Sequence, residues 1–443
     1  MTKENKDIIP IEEQPYAVPA NWQWVRLGAI NIYKSKNITF NKEGNRTYEL
    51  YSVPSYAEAY PEIISESEIG SSKQLVQKND VLLCKINPRI NRVWKVFSYT
   101  AHQTLASSEW IVVRNNVLYM AYLMWSFRCP YFRTYMLSNV SGVGGSLMRA
   151  RPQFVKEYPI PIPPLQEQKR IVECITEQFS KLERAKEKIQ SGLDSSETRK
   201  AAILHKAFTG ELTASWRSKK GYENTWYTYL LDDICDKITD GTHRSPVNTA
   251  TGEFMYITAK NIKETGIDLS NITYVTKEVH EEIYARCDIQ FGDVLYIKDG
   301  ATTGIATINT IHEPFSMLSS VALLRPKQNL LEAKYLVYLL NSSEMKSKML
   351  NQMSGNAITR LTLTKIKNTS IRVCPIEEQR EIIRILDDLL TKEQHIVDIA
   401  AATLQRIDTM KQAILAKAFR GELGTNDPSE PPAPLTAKGD LSC

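Results

Sequence analysis

Residues 164–212 read PLQEQKRIVECITEQFSKLERAKEKIQSGLDSSETRKAAILHKAFTGEL, and residues 375–423 read PIEEQREIIRILDDLLTKEQHIVDIAAATLQRIDTMKQAILAKAFRGEL. The two stretches are equal in length. They open alike, PLQEQKRIVECI against PIEEQREIIRIL, and close on KAFTGEL and KAFRGEL, six of seven letters agreeing at an offset of 211. A self-similarity on this scale, in a chain of 443 residues, marks a tandem duplication.

Both stretches carry helical arithmetic. Steps of three and four from Val172 meet Ile175, Phe179, Leu182, Lys186, Ile189, Leu193, Ser196, Lys200, Ile203 and Ala207. The same steps from Ile383 meet Leu386, Leu390, Glu393, Val397, Ala400, Leu404, Ile407, Lys411, Ile414 and Ala418. Most of these are apolar, as a coiled-coil stripe requires. Proline before each stretch supplies a start, and Gly210 and Gly421 supply left-handed stops. About 40 helical residues make a rod of roughly 60 Å, and a rod with one apolar stripe must pair with something. Its partner is expected to be the other rod, packed antiparallel about a pseudo-twofold axis. KAFxGEL then marks the foot of each rod, or is a C-cap alone. The polar seam positions Lys186, Lys200, Glu393 and Lys411 either fix register or reach solvent, and Gly192 allows a local break around QSGLDSSE.

Upstream of each rod lies a longer, more divergent block. NDVLLCK at 79–85 answers GDVLYIK at 292–298, MLSNVSG at 136–142 answers MLNQMSG at 349–355, and Trp24 and Trp226 open the two halves. Short β-rich runs mixed with turn signals and one helical stretch make each block α+β. From Trp22 to Tyr158 there are 17 Lys and Arg against 9 Asp and Glu, whereas from Trp226 to Arg372 there are 16 of each. A basic excess suits a polyanionic partner for the first block; the second must rely on local clusters.

Clusters occur in both blocks. KINPRINRVWK at 85–95 interleaves Lys85, Arg89, Arg92 and Lys95 with Asn87, Asn91 and Trp94, residue types that neutralise phosphates or read base edges. SGVGGSLMRARPQF at 141–154 joins a Gly-rich loop to Arg149 and Arg151, and its counterpart SGNAITRLTLTKIK carries Arg360, Lys365 and Lys367. ITDGTHRSP at 238–246 turns at Asp240 and Gly241 and presents Thr242, His243 and Arg244; Lys298 ends GDVLYIK.

Seven scattered cysteines without a CxxC pair argue against structural zinc and against a disulfide framework. MTKENKDIIPIEEQPY carries charges where a signal peptide needs an apolar run, and no membrane-length apolar stretch follows, so a cytoplasmic location is expected. Catalytic signatures are missing as well. NPRI at 87–90 is not the Asn/Asp-Pro-Pro-Tyr of an adenine methyltransferase, no GxxxxGK[ST] phosphate loop occurs, and EQK at 167–169 lies on a helix instead of in a nuclease site.

The ordered set of PIPIPPLQEQKRIV, long helix, KAFTGEL, ITDGTHRSP, CPIEEQREII, long helix and KAFRGEL resembles the specificity subunit of Type I restriction-modification systems, over about residues 20–424. The resemblance implies two target-recognition domains, at 1–160 and 216–372, each reading half of a split DNA sequence. It implies spacer helices at 161–215 and 373–424 that set the gap and dock modification subunits, and 425–443 is expected to be a disordered tail. It also implies a non-catalytic chain, with S-adenosylmethionine, ATP and magnesium bound by partner methyltransferase and translocase subunits. One departure stands out: the first block reads INIYKSKNITF where the second has its DGTH phrase. A scaffold without DNA specificity is the alternative.

Overall fold

The computed structural model describes residues 8–138, 140–141, 148–222, 226–353 and 360–435. The chain divides into two compact units, Met1–Ile189 with Ala402–Cys443, and Gln190–Ala401. Both boundaries fall inside the long helices, so each unit holds one divergent block, the start of one rod and the foot of the other.

The central rod is a helix over Leu165–Asp194 and a second over Ser196–Phe208, interrupted only at Ser195, three residues past Gly192. The C-terminal rod is one helix of 43 residues, Ile376–Ala418. Gly210 (φ +84°) and Gly421 (φ +74°) stop the rods in the left-handed region that glycine reaches at least cost.

Within the first unit Glu183 of the central rod pairs with Lys411 of the C-terminal rod, and Ile171, Val172 and Ile175 share a core with Leu415, Ala418 and Phe419. Within the second, Arg199 Nε donates to Glu393 Oε1 at 3.0 Å, and Leu204, Ala207 and Phe208 share a core with Ile382 and Leu386. In each unit positions rise along one rod as they fall along the other, which is antiparallel packing. Of the polar seam positions, Glu393 and Lys411 therefore pair across the rods and pin register, Lys200 pairs with Glu264 of the second block, and Lys186 is exposed.

The foot of each rod does more than cap it. Phe419 lies in the first unit with its ring centroid 5.2 Å from that of Tyr122, and Phe208 lies in the second at 5.3 Å from Tyr335. KAFxGEL is thus a key that fits the block bearing the start of the opposite rod. The Glu-Gln pair at each start is the matching lock. Gln168 accepts from Tyr119 N (2.8 Å) and donates to Pro163 O (2.9 Å), while Gln379 accepts from Glu332 N (2.9 Å) and donates to Cys374 O (2.8 Å). Trp22 Nε1 donates to Glu167 at 2.8 Å, and Trp226 Nε1 donates to Glu378 at 3.2 Å. The tryptophan equivalent to Trp226 is consequently Trp22. Trp24, expected in that role, is a core residue whose indole N–H has no partner among the described residues.

After each foot the chain runs on across the same lock. Residues 213–222, expected as part of the central spacer and the next block, form a short helix, Ala214–Lys220, with Thr213 and Arg217 donating to Glu378. The stretch 425–435, expected to be disordered, instead lies along the first unit. Asn426 donates to Glu167 (2.7 Å), Arg170 makes a two-pronged pair with Glu430 (2.8 Å each), and Ala433 is buried. Composition pointed to disorder because it registers few apolar side chains. What orders the segment is a buried carboxylate needing donors and an arginine needing a partner. Residues 436–443 lie outside the described residues.

Among the described residues each block contains two larger sheets beside two two-stranded pairings. In the first, Val81–Cys84 lies between Val93–Lys95 and Trp110–Val113. In the second, the order is Cys235–Asp240, Val321–Pro326, Val294–Ile297, Ala306–Ile308. The central strands are buried along their whole length, which explains the unbroken apolar runs VLLC and VLYI. The companion sheets have five and three strands, each with one parallel pair: Thr47–Tyr51 beside Gln103–Ser107, and Phe254–Ile257 beside Ser316–Met317. The architecture is α+β, built twice.

Candidate nucleic-acid interface

The echo NDVLLCK/GDVLYIK proves to be part of a hairpin whose base repeats the same backbone bonds. Asn79 (φ +74°) and Gly292 (φ +89°) both turn left-handed. Asn79 N donates to Val96 O at 2.9 Å and Val96 N to Asp80 O at 2.8 Å; Gly292 N donates to Asn309 O and Asn309 N to Asp293 O, both at 2.8 Å. The aspartate of each phrase is nearly inaccessible and clamped by an arginine. Arg114 donates to Asp80 through Nε (2.7 Å) and Nη2 (2.6 Å), and Arg325 to Asp293 at 2.9 and 2.8 Å. Bidentate pairs of this kind fix geometry as well as charge, so the hairpins are rigid mounts.

The far end of the mount is a tight turn. In the first unit Asn87 (φ +47°) and Asn91 (φ +49°) bracket Pro88–Ile90; in the second Gly300 (φ +104°) and Gly304 (φ +102°) bracket residues 301–303. The outgoing segment repeats too. Ala150 N donates to Lys85 O (2.8 Å) with Ile86 bridging Arg149, and Leu361 N donates to Lys298 O (3.2 Å) with Asp299 bridging Arg360. Candidates chosen separately from the two halves therefore occupy matching places: Lys85 with Lys298, and Arg149 with Arg360.

Their surroundings differ. Arg89 is exposed on the turn and Ile90 is 53% exposed. Lys85, Asn87, Arg92 and Lys95 are half-buried, Lys95 with its ammonium 4.7 Å from the Phe97 ring. Asn91 donates to Phe127 O at 3.2 Å, so it holds the turn. Trp94, expected to interleave with the charges, is in the core against Tyr51 and Trp110. Arg149 is exposed and pairs with Glu109 at 3.1 Å, and Arg151 is exposed. The glycines of the loop at 142–147 and the residues 354–359 of its counterpart lie outside the described residues.

In the second unit Asp240, His243, Lys298, Asp299 and Arg360 line one cleft of about 480 Å³. Lys298, expected to meet DNA, is buried, with its ammonium 3.0 Å from Asp299 and 3.4 Å from Asp240; it neutralises carboxylates inside the fold. Asp240 also accepts from Arg286. Gly241 has a separate reason to be glycine: a Cβ there would stand 1.9 Å from Met317 O. Asp-Gly of the DGTH phrase is thus a structural lock, which places His243 and Arg244 in the open, while Thr242 hydrogen-bonds within the loop, accepting from Arg244 N at 3.2 Å. Where the first block reads INIYKSKNITF, Asn37–Ile38 pairs with Lys73–Gln74 instead. Arg360 is exposed, and Lys365 donates to Gln352 O on a short helix, Leu363–Lys367. One oxygen of Glu109 and one of Asp299, beside the two turns, are buried without a partner among the described residues.

A chain with two such mounts on a duplicated helical frame belongs to the Type I restriction modification DNA specificity domain family, whose model matches residues 19–191 and 223–400. Among its relatives, the Type I restriction enzyme EcoBI specificity subunit of Escherichia coli is 25% identical over 66% of this chain, and the chain spans 64% of that relative's length. Its fold is similar to that of a chain from a type I R-M system (22% identity, TM-score 0.71, covering 92% of this chain and all of that one). It is likewise similar to the HsdS subunit from Thermoanaerobacter tengcongensis (21% identity, TM-score 0.68, covering 93% and all). Among the described residues no helix is long and apolar enough to cross a membrane.

Proposed function

We propose that this chain is the sequence-specific DNA-recognition subunit of a Type I restriction-modification complex, reading an asymmetric target in two parts. Residues 1–160 and 216–372 act as the target-recognition domains. The helices at 161–215 and 373–424 set the gap between half-sites and dock modification subunits. Supporting this is one observation above others: a hairpin clamped by an aspartate-arginine pair is built twice, at matching places, with different exposed residues on its turn. Two unlike readers on a common frame suit a bipartite site whose halves differ.

On this reading the DNA contacts come from Lys85, Asn87, Arg89, Arg92, Lys95, Arg149 and Arg151 in the first block and from Thr242, His243, Arg244, Arg360 and Lys365 in the second. Asn91 and Lys298 serve the fold. The chain works in the cytoplasm and carries no catalysis of its own; partner subunits bring S-adenosylmethionine, ATP and magnesium, methylate adenine, and translocate and cut. A salt titration of DNA binding by the assembled complex tests it. The logarithm of affinity should fall linearly with the logarithm of salt, with a slope near 0.9 per phosphate neutralised. Binding that is flat with salt would favour a scaffold without DNA specificity.

A further inference from the structure

We infer that the two five-residue turns, Asn87–Asn91 and Gly300–Gly304, are equivalent base-reading elements, one for each half-site, and that Arg89 and the pair Ala301–Thr302 determine specificity there. This rests on the DNA-recognition function proposed above and assigns it to particular side chains, including two that no sequence motif marks. The turns join corresponding strands, Val81–Cys84 to Val93–Lys95 and Val294–Ile297 to Ala306–Ile308, and have positive-φ residues at their first and last positions. Glycine adopts positive φ at least cost, and asparagine more readily than most residues, so the ends are held by conformation. The inner residues are free of that constraint, and they differ completely: Pro-Arg-Ile against Ala-Thr-Thr. Arg89, Ile90, Ala301 and Thr302 are exposed. Thr303, in contrast, spends its hydroxyl inside the turn, donating to Gly300 O at 2.7 Å.

A turn held at the same place in both units, presenting unlike exposed side chains at the end of a clamped sheet, suits readout of base edges in the major groove, which displays a distinct pattern for every base pair. Arg89 supplies the forked donor that matches the O6 and N7 acceptors of guanine. Ala301 and the Thr302 methyl supply the apolar contact suited to a thymine methyl. The first half-site accordingly contains a G·C pair that depends on Arg89, and the second an A·T pair that depends on residues 301–302.

The test uses the full chain assembled with its modification subunits and a randomised duplex library, with selected sequences read out for wild type, Arg89→Ala, Arg89→Lys and Thr302→Arg. Arg89→Ala should lose preference at one G·C position of one half-site by about 5- to 150-fold, leaving the other half-site intact. Arg89→Lys should keep the wild-type salt slope while losing most of that preference, because a point charge replaces the fork. Thr302→Arg should change the other half-site alone. Unchanged motifs in all three variants, beside a bipartite wild-type motif, would overturn the assignment of the turns while sparing the proposed function. Uniform weakening on every sequence would make Arg89 a phosphate contact and overturn it too. A wild-type complex that selects no bipartite motif would sink the function itself.

Discussion

Replacing Phe419 by alanine should loosen a segment some 300 residues earlier in the chain and leave the other unit untouched. Phe419 is 1% exposed, its ring meets Tyr122, and it shares a core with Leu415, Ala418, Ile171 and Ile175. Truncating a buried Phe removes its transfer free energy and leaves a cavity, together costing about 3–5 kcal/mol. At 1.36 kcal/mol per decade, that is roughly two to three and a half orders of magnitude in the equilibrium for local opening. Hydrogen exchange followed by peptide mass spectrometry is the assay. Amides of the helices Met120–Ser126 and Pro130–Ser138 and of the first turns of Leu165–Asp194 should lose protection, while those around Tyr335 keep it. Phe208→Ala should do the converse, deprotecting Ala333–Asn341 and the start of Ile376–Ala418. If Phe419→Ala instead loosened the second block, or only the last turn of its own helix, KAFxGEL would be a cap and not a docking key.

Three further outcomes are expected. Lys298→Met should destabilise the second unit by about 3–5 kcal/mol, because it strips a buried cation from two carboxylates; urea melts would show it, and an unchanged salt slope for DNA would separate this from a phosphate contact. Ending the chain after Gly424 should cost the first unit about 1–3 kcal/mol, since the buried Glu167 carboxylate loses its Asn426 donor; a melting curve identical to that of the full chain would contradict this. Burial raises the pKa of Glu264, and hydrogen bonds from Lys200 and Lys346 more than reverse it, holding the group below its ordinary value of 4.5. A depressed carboxylate contributes stability that is present above the ordinary value and lost as pH falls through the folded one. Melting temperatures of the second unit should therefore drop below about pH 4.5, and Glu264→Gln should flatten that drop.

Much of this architecture was legible in the sequence because packing had fixed the letters. Phe208 and Phe419, Gln168 and Gln379, Glu167 and Glu378, Asp80 and Asp293 each have one partner geometry to satisfy, so both copies keep the same residue. The repeated turn was invisible for the opposite reason. Asn87 and Gly300, like Asn91 and Gly304, both turn at positive φ but with different letters and different angles, and the residues between them share none. Lys298 misled because its sequence context resembles that of Lys85 while its depth does not: strand register shows which face a side chain takes, but not how much of the chain later covers it. Trp22 was overlooked beside Trp24 because a single indole hydrogen bond, to a glutamate 145 residues away, separates their roles.

The most direct test of the central claim is the methylation pattern left on DNA by the assembled complex. Two unlike readers on one frame predict methylated adenines within a single asymmetric motif, two short specified segments separated by a gap of fixed length. A continuous motif, a palindrome, or methylation without sequence preference would contradict the account.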